Sequence, residues 1–117
     1  MDEDCTVYRT LDVIAKKWSL LVILSLHKGG GSNRYSQIKR DLKGITGKML
    51  SARLKELEAE GVIRKSKDSL RGEVVCSYAL TPGGDDLVEV IMGIKEWGLR
   101  WRGGSEKCGK TLCRYCR

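Results

Sequence analysis

Phenylalanine is absent and aromatic residues make up only 6% of the 117-residue chain, so a core has to be built from Leu, Ile and Val. Histidine occurs once, as His27, with no acidic partner at a recognisable spacing, and there is no glycine-rich phosphate loop. Both absences argue against an enzyme. The longest apolar run, Trp18 to Leu26, is broken by serines and spans about half of the roughly 20 residues a membrane helix needs. The N-terminus, Met1-Asp2-Glu3-Asp4, is acidic where a signal peptide is basic. A cytoplasmic protein with no membrane partner is expected. Internal repeats and low-complexity tracts are missing as well.

What is present fits one domain. The length suits a single domain and is too short for two full ones, and 41% apolar against 32% charged residues describes a cored chain with a soluble surface. The net charge is +7 and unevenly spread. Between Arg34 and Arg71 eleven Lys/Arg stand against five Asp/Glu, and from Arg102 to Arg117 five stand against one; the remainder is slightly acidic. A basic middle and a basic tail suit a polyanion partner, although a solvated basic surface has the same composition.

Apolar spacing predicts a short helix over Val7 to Ile14 and a buried helix over Ser19 to Leu26, stopped by Gly29-Gly30-Gly31. Ser32 or Asn33 is placed to cap a third helix, Tyr35 to Leu42, which Gly44 ends. The clearest helix is Thr46 to Glu60, with Thr46 as cap, Leu50, Leu54 and Leu57 in one stripe, and Gly61 at its C-terminal end. The period then changes from 3.6 to 2. Val62-Ile63 opens a strand, Asp68 to Gly72 makes a polar turn, and Glu73 to Leu80 forms a second strand with Val74, Cys76, Tyr78 and Leu80 on one face. Pro82 starts a last helix carrying Leu87, Val90, Ile91, Ile94, Gly98 and Trp101 on one side. The fold class is mainly α with a small β-hairpin, in winged helix–turn–helix order, over residues 1–102. A basic cysteine-bearing tail follows over 103–117.

The face opposite the leucine stripe carries Lys48, Ser51, Ala52 and Lys55, beside Thr46 and Gly47 at the helix start. Small residues let a helix enter the major groove of double-stranded DNA, and Lys and Ser donate to base edges and phosphates. Glu56, Glu58 and Glu60 sit at the far end. That order is the reverse of the usual sorting of charge along a helix dipole, which favours acids at the N-terminus. Lys65, Lys67 and Arg71 flank the hairpin turn and are expected at phosphates or in an adjacent minor groove; Arg34, Tyr35 and Ser36 begin the third helix and Lys17 precedes the second, all expected at phosphates. One such unit touches few base pairs, whereas a two-fold pair reads half-sites about one turn apart. The last helix, with Val88, Trp97 and Leu99 beside its main stripe, has apolar positions to spare for a homodimer. A winged helix serving protein or RNA recognition is the alternative.

These residues resemble the HxlR family of bacterial and archaeal regulators, relatives of the MarR-like winged-helix proteins. The likeness runs from Cys5 to Trp101. It rests on Leu11-Asp12-Val13-Ile14 with Lys17-Trp18, Arg34-Tyr35 before Ile38, Gly44-Ile45-Thr46 with Lys48-Met49-Leu50, then Leu54, Leu57-Glu58, Gly61, Tyr78-Ala79-Leu80-Thr81 and Trp97-Gly98. It implies a transcriptional regulator that binds a pseudo-palindromic operator as a homodimer. In it the first and last helices, through Val7, Leu11, Leu87, Ile91, Ile94, Trp97 and Trp101, form the interface. Two departures stand out: Cys5 precedes Thr6 where the family often has Cys-Pro, and Ser69-Leu70-Arg71-Gly72 replaces a Pro-Pro pair in the wing.

Five cysteines in a cytosolic chain raise metal or thiol chemistry ahead of disulfides. The resemblance implies Cys5 as a thiol sensor. A sensing thiol needs exposure and a nearby cation, which Arg9 offers, whereas Asp2, Glu3 and Asp4 are anions beside it. Cys76, on the apolar strand face, is expected in the core. Cys113 and Cys116 have zinc-knuckle spacing, with Cys108 as a third thiolate and Cys5 or His27 as a fourth ligand. The tail is open to three readings: zinc site, redox thiols or unstructured basic segment. The effector is not legible.

Overall fold

The computed structural model describes residues 5–103. In chain order it forms α1 (Thr6–Ile14), α2 (Lys17–Lys28), β1 (Ser32–Arg34), α3 (Tyr35–Asp41), α4 (Gly47–Ala59), β2 (Ile63–Leu70), β3 (Glu73–Leu80) and α5 (Pro82–Trp101). The expected helices and hairpin are there, with one addition. β1 lies on the outer edge of the hairpin, giving an antiparallel sheet of order β1-β3-β2. Ser32 and Asn33, expected to cap α3, are strand residues opposite Ala79 and Tyr78. Arg34 takes the cap position instead, with no side-chain capping bond.

α2 is the central element. Val22, Ile23, Leu24 and Leu26 are buried, as are Ser19 and Ser25, so the helix is enclosed on most sides. It stops where the Gly31 N–H reaches back to the Leu26 carbonyl and the Gly30 N–H to that of His27, with Gly30 at φ 83°. This paired closure needs a left-handed residue, which glycine adopts without strain. α4 ends the same way: Val62 N–H bonds Leu57 O and Gly61 N–H bonds Glu58 O, with Gly61 at φ 77°. Leu50, Leu54 and Leu57 are buried, as the stripe requires.

Thr81 locks the entry to α5. Its hydroxyl accepts from Gly84 N–H at 3.0 Å and donates to the carbonyls of Gly61 and Val62, tying the helix start to the α4–β2 corner. The approach is tight enough that a Cβ on Gly84 would collide with the Val62 carbonyl oxygen. Further along α5, Val88 and Ile91 face the core. Ile91, expected at a dimer interface, is only 6% exposed and belongs to its own domain. Leu87 is half-buried, whereas Val90, Ile94, Trp97 and Trp101 remain exposed. Val7, Tyr8 and Leu11 of α1 are exposed too. Among the described residues no helix is long and apolar enough to cross a membrane.

The hairpin is longer than expected, because β2 continues through Asp68 and Ser69 to Leu70, paired with Glu73. The turn shrinks to Arg71 and Gly72, at φ 54° and 82°. Two successive positive φ values define the primed turn whose twist suits a tight hairpin. Ile63 and Leu80 at its base are buried; Val74 towards the tip, on the same face, is 71% exposed. The face is shared, but the helices cover only its base.

Candidate nucleic-acid interface

α3 and α4 form a helix–turn–helix whose turn is fixed from inside. Leu42 and Ile45 are buried anchors, Ile45 N–H bonds Leu42 O, and Gly44 supplies a positive φ of 95° between them. Thr46 then caps α4 through Met49 N–H at 3.1 Å, as its position predicted. Its hydroxyl oxygen is therefore engaged within the helix. The Tyr35 hydroxyl donates to the Gly47 carbonyl at 3.4 Å, bracing the start of α3 against the start of α4. Expected at a phosphate, Tyr35 is half-buried and has a structural bond to make first. α3 is held to α2 from behind, where Ser25 donates to Asp41 at 3.3 Å and Gln37 donates to the same carboxylate at 2.9 Å.

This bracing leaves one face of α4 open. Lys48, Ser51 and Lys55 are exposed and Ala52 is half-buried beside them. No acidic residue occupies the first turn. Glu56 points elsewhere, meeting Lys16 at 3.3 Å and Arg53 at 3.2 Å. Arg34 and Ser36 are exposed at the start of α3, and Lys65, Lys67 and Arg71 along the hairpin. Cross-strand pairing puts Lys65 opposite Tyr78 and Lys67 opposite Cys76, on the sheet face that continues from the core. A cleft of about 460 Å³ lies between these elements, with Arg34 and Ser36 at one side, Ser51 at another and Lys65, Val74, Cys76 and Tyr78 along the wing. Tyr78 is 7% exposed, and burial pushes its phenol above the usual tyrosine range despite the opposing pull of Lys65. It stays a neutral hydrogen-bond donor at physiological pH.

One expected contact sits apart. Lys17 begins α2 with its ammonium 4.7 Å from the Trp18 ring centroid. Its neighbour Lys16 pairs with the C-terminal half of α4, away from the Lys48 end. Cys76 is half-buried, packed partly on the core and partly lining the cleft, so it is not the enclosed residue expected. Lys39 was missed: its side chain lies beside Gly47 at the start of α4. The signal was its spacing of four from Tyr35, which puts the two on one face of α3. Cys5 is half-buried in the cap position of α1, its carbonyl bonded by Arg9 N–H. Cys108, Cys113 and Cys116 lie outside the described residues, as does nearly all of the tail.

Similarity to known proteins agrees with this arrangement. The uncharacterized HTH-type transcriptional regulator YybR of Bacillus subtilis (strain 168) is 38% identical over 96 residues, 82% of this chain and 74% of that one. Among solved structures, the redox regulator HypR in its oxidized form is 35% identical with a TM-score of 0.67, covering 82% of this chain and 96% of that one. The reduced transcriptional regulator YodB from B. subtilis is 28% identical with a TM-score of 0.73, covering 83% and 93%. These relatives are regulators of transcription, not enzymes. Residues 13–106 match the HxlR-like helix-turn-helix family, and the chain is a member of it.

Proposed function

We propose that two copies of this chain pair through α1 and α5 and bind a pseudo-palindromic operator in double-stranded DNA, with one α4 entering the major groove at each half-site. The observation that carries the reading is the N-terminal half of α4. Lys48 and Ser51 have no acidic residue beside them in the first turn, Lys55 continues their exposed face one turn on, and Arg34 and Lys65 line the adjoining cleft with Ser51. Lys48 and Ser51 read base edges, with Ala52 giving close approach. Arg34, Ser36, Lys65, Lys67 and Arg71 hold phosphates and set the register. Arg71 favours this assignment because a left-handed arginine is strained in a turn where Asn or Gly is the default. The pairing is supported by exposed apolar side chains on two helices, Val7, Tyr8 and Leu11 with Val90, Ile94, Trp97 and Trp101. Such a protein works in the cytoplasm, with the chromosome.

Thiol modulation belongs to the same reading. HypR is described as a redox regulator, and Cys5 here opens α1, one of the two pairing helices, where an adduct alters the spacing of the reading heads. The tail thiols Cys108, Cys113 and Cys116 serve either as zinc ligands or as redox groups, and the metal content of the purified chain separates the two.

The deciding experiment is duplex binding as a function of salt. With Arg34, Lys65, Lys67 and Arg71 of both copies on phosphates, a dimer neutralises about eight and gives a slope of log affinity against log salt of roughly −7. Footprints should fall in two half-sites about one helical turn apart. A slope close to zero would remove DNA as partner and leave the protein- or RNA-interaction alternative.

A further inference from the structure

Four large apolar side chains lie on α4, and one of them faces water. Leu50, Leu54 and Leu57 are buried, whereas Met49 is 38% exposed. Its backbone is fixed by the cap of the helix, since the Met49 N–H donates to the Thr46 hydroxyl at 3.1 Å. Ser51 bounds the open face of α4 on the cleft side. With 3.6 residues per turn, Lys55, Lys48 and Ala52 follow across that face, and Met49 bounds its other side, in line with Arg53 and Glu56. The two ionic residues of that flank are taken up with each other, at 3.2 Å. Met49 thus stands at the edge of a cationic and small-residue face, not inside an apolar patch. Such a setting suits one small apolar group on the partner better than a protein surface.

A recognition helix meets base edges with its N-terminal residues, and Met49 is the third residue of α4. Of the groups that base pairs present in the major groove, the C5-methyl of thymine is the apolar one. A lysine ammonium or a serine hydroxyl gains nothing from covering it. An unbranched, polarizable thioether does, and it adapts to the position of the methyl.

We propose that Met49 is a specificity-determining residue that reads thymine. In each half-site its thioether covers the C5-methyl of one thymine, at the far edge of the bases contacted by Lys48 and Ser51. The assignment rests on the operator reading above and adds the base identity at one fixed position of each half-site. Burial of one such methyl is worth about fourfold in affinity, and of the two in a symmetric operator about 15-fold.

The test uses the full chain and duplexes selected from a random pool by binding to it. Each thymine of a half-site is replaced in turn by deoxyuridine, which removes the C5-methyl and leaves every hydrogen-bonding group in place. One position per half-site should cost the wild type about fourfold, and the symmetric pair about 15-fold. Met49→Ala, checked for folding by circular dichroism, should bind thymine and deoxyuridine duplexes within about 1.5-fold at that position, and Met49→Leu should restore the preference. If no deoxyuridine weakens the wild type beyond about 1.5-fold, or if the full loss persists in Met49→Ala, the proposal is overturned while the operator reading stands. A chain that selects no duplex refutes the operator reading, and the assignment of Met49 falls with it.

Discussion

Trp97 offers a direct measure of whether α5 is a pairing surface. Its ring is 56% exposed on a helix whose other face already serves the core. On a tryptophan surface of about 250 Å², that leaves roughly 140 Å² to bury. At about 25 cal/mol per Å² complete burial by a partner is worth about 3.5 kcal/mol, and a two-fold interface counts it twice. Half-complete burial in both copies still amounts to about 3.5 kcal/mol, so Trp97→Ala should raise the dimer dissociation constant at least about 100-fold. Sedimentation equilibrium over a wide concentration range reads this directly, with circular dichroism to confirm that the monomer is folded. Lys48→Ala, on the proposed reading face, should leave the constant alone. A wild-type chain that is monomeric at tens of micromolar, or a Trp97→Ala constant within threefold of wild type, refutes the assignment of α5.

Lys48→Ala and Ser51→Ala should each relax sequence preference by about 1–3 kcal/mol, read as competition between operator and scrambled duplexes; unchanged footprints from both mean that another face reads. Arg71→Gly should raise stability by about 1 kcal/mol in urea melts by relieving the left-handed backbone. It should also lower affinity equally on all duplexes and flatten the salt slope by about two, one for each copy in the dimer, and an unaltered slope takes Arg71 away from the phosphates. Gly84→Ala should destabilise by at least about 2 kcal/mol because its Cβ meets the Val62 carbonyl. Gly93→Ala, in open space on the same helix, should instead stabilise by about 0.5–1 kcal/mol, and similar urea midpoints for the two would mean the contact between α5 and the α4–β2 corner is looser than described.

α4 was legible because every local signal agreed there: the Thr46 hydroxyl, the leucines at 50, 54 and 57, and Gly61 each did in space what its position required. β1 was not legible. Ser32, Asn33 and Arg34 are three polar residues without alternation, and they become a strand only because β3 presents them an unpaired edge. Period-2 patterning put Val74, Cys76, Tyr78 and Leu80 correctly on one face, yet it carries no information on how far the helices extend over that face. Val74 therefore lies in the open, and Cys76, expected in the core, stands on the wall of the cleft. Ile91 failed for a related reason: an apolar stripe on α5 does not say which of its residues face inward. Tyr35 shows a third limit. A phosphate-ready hydroxyl and a helix brace have the same sequence signature, and only the 3.4 Å approach to Gly47 separates them.

The locations of the rule-breaking residues carry more weight than any one of these matches. Folding alone favours acids at a helix N-terminus, by about 0.3–1 kcal/mol each, but α4 begins with Lys48 and has no acid in its first turn. Folding favours glycine or asparagine at both positions of a primed turn, but Arg71 holds one of them at about 1–2 kcal/mol of strain. Apolar side chains favour burial, but Val74 stands uncovered between Lys65 and the hairpin tip. Together the departures amount to a sizeable fraction of the roughly 5–15 kcal/mol that holds a domain folded. All three lie on α4 or the wing, the two arms of one surface, while the body behind them satisfies its glycine closures, threonine caps and leucine stripe. Local rules fail together where a surface has a second task, and an anion partner accounts for two of the three failures. The exposed valine suits the same partner, since a duplex sets sugar faces and thymine methyl groups beside its phosphates.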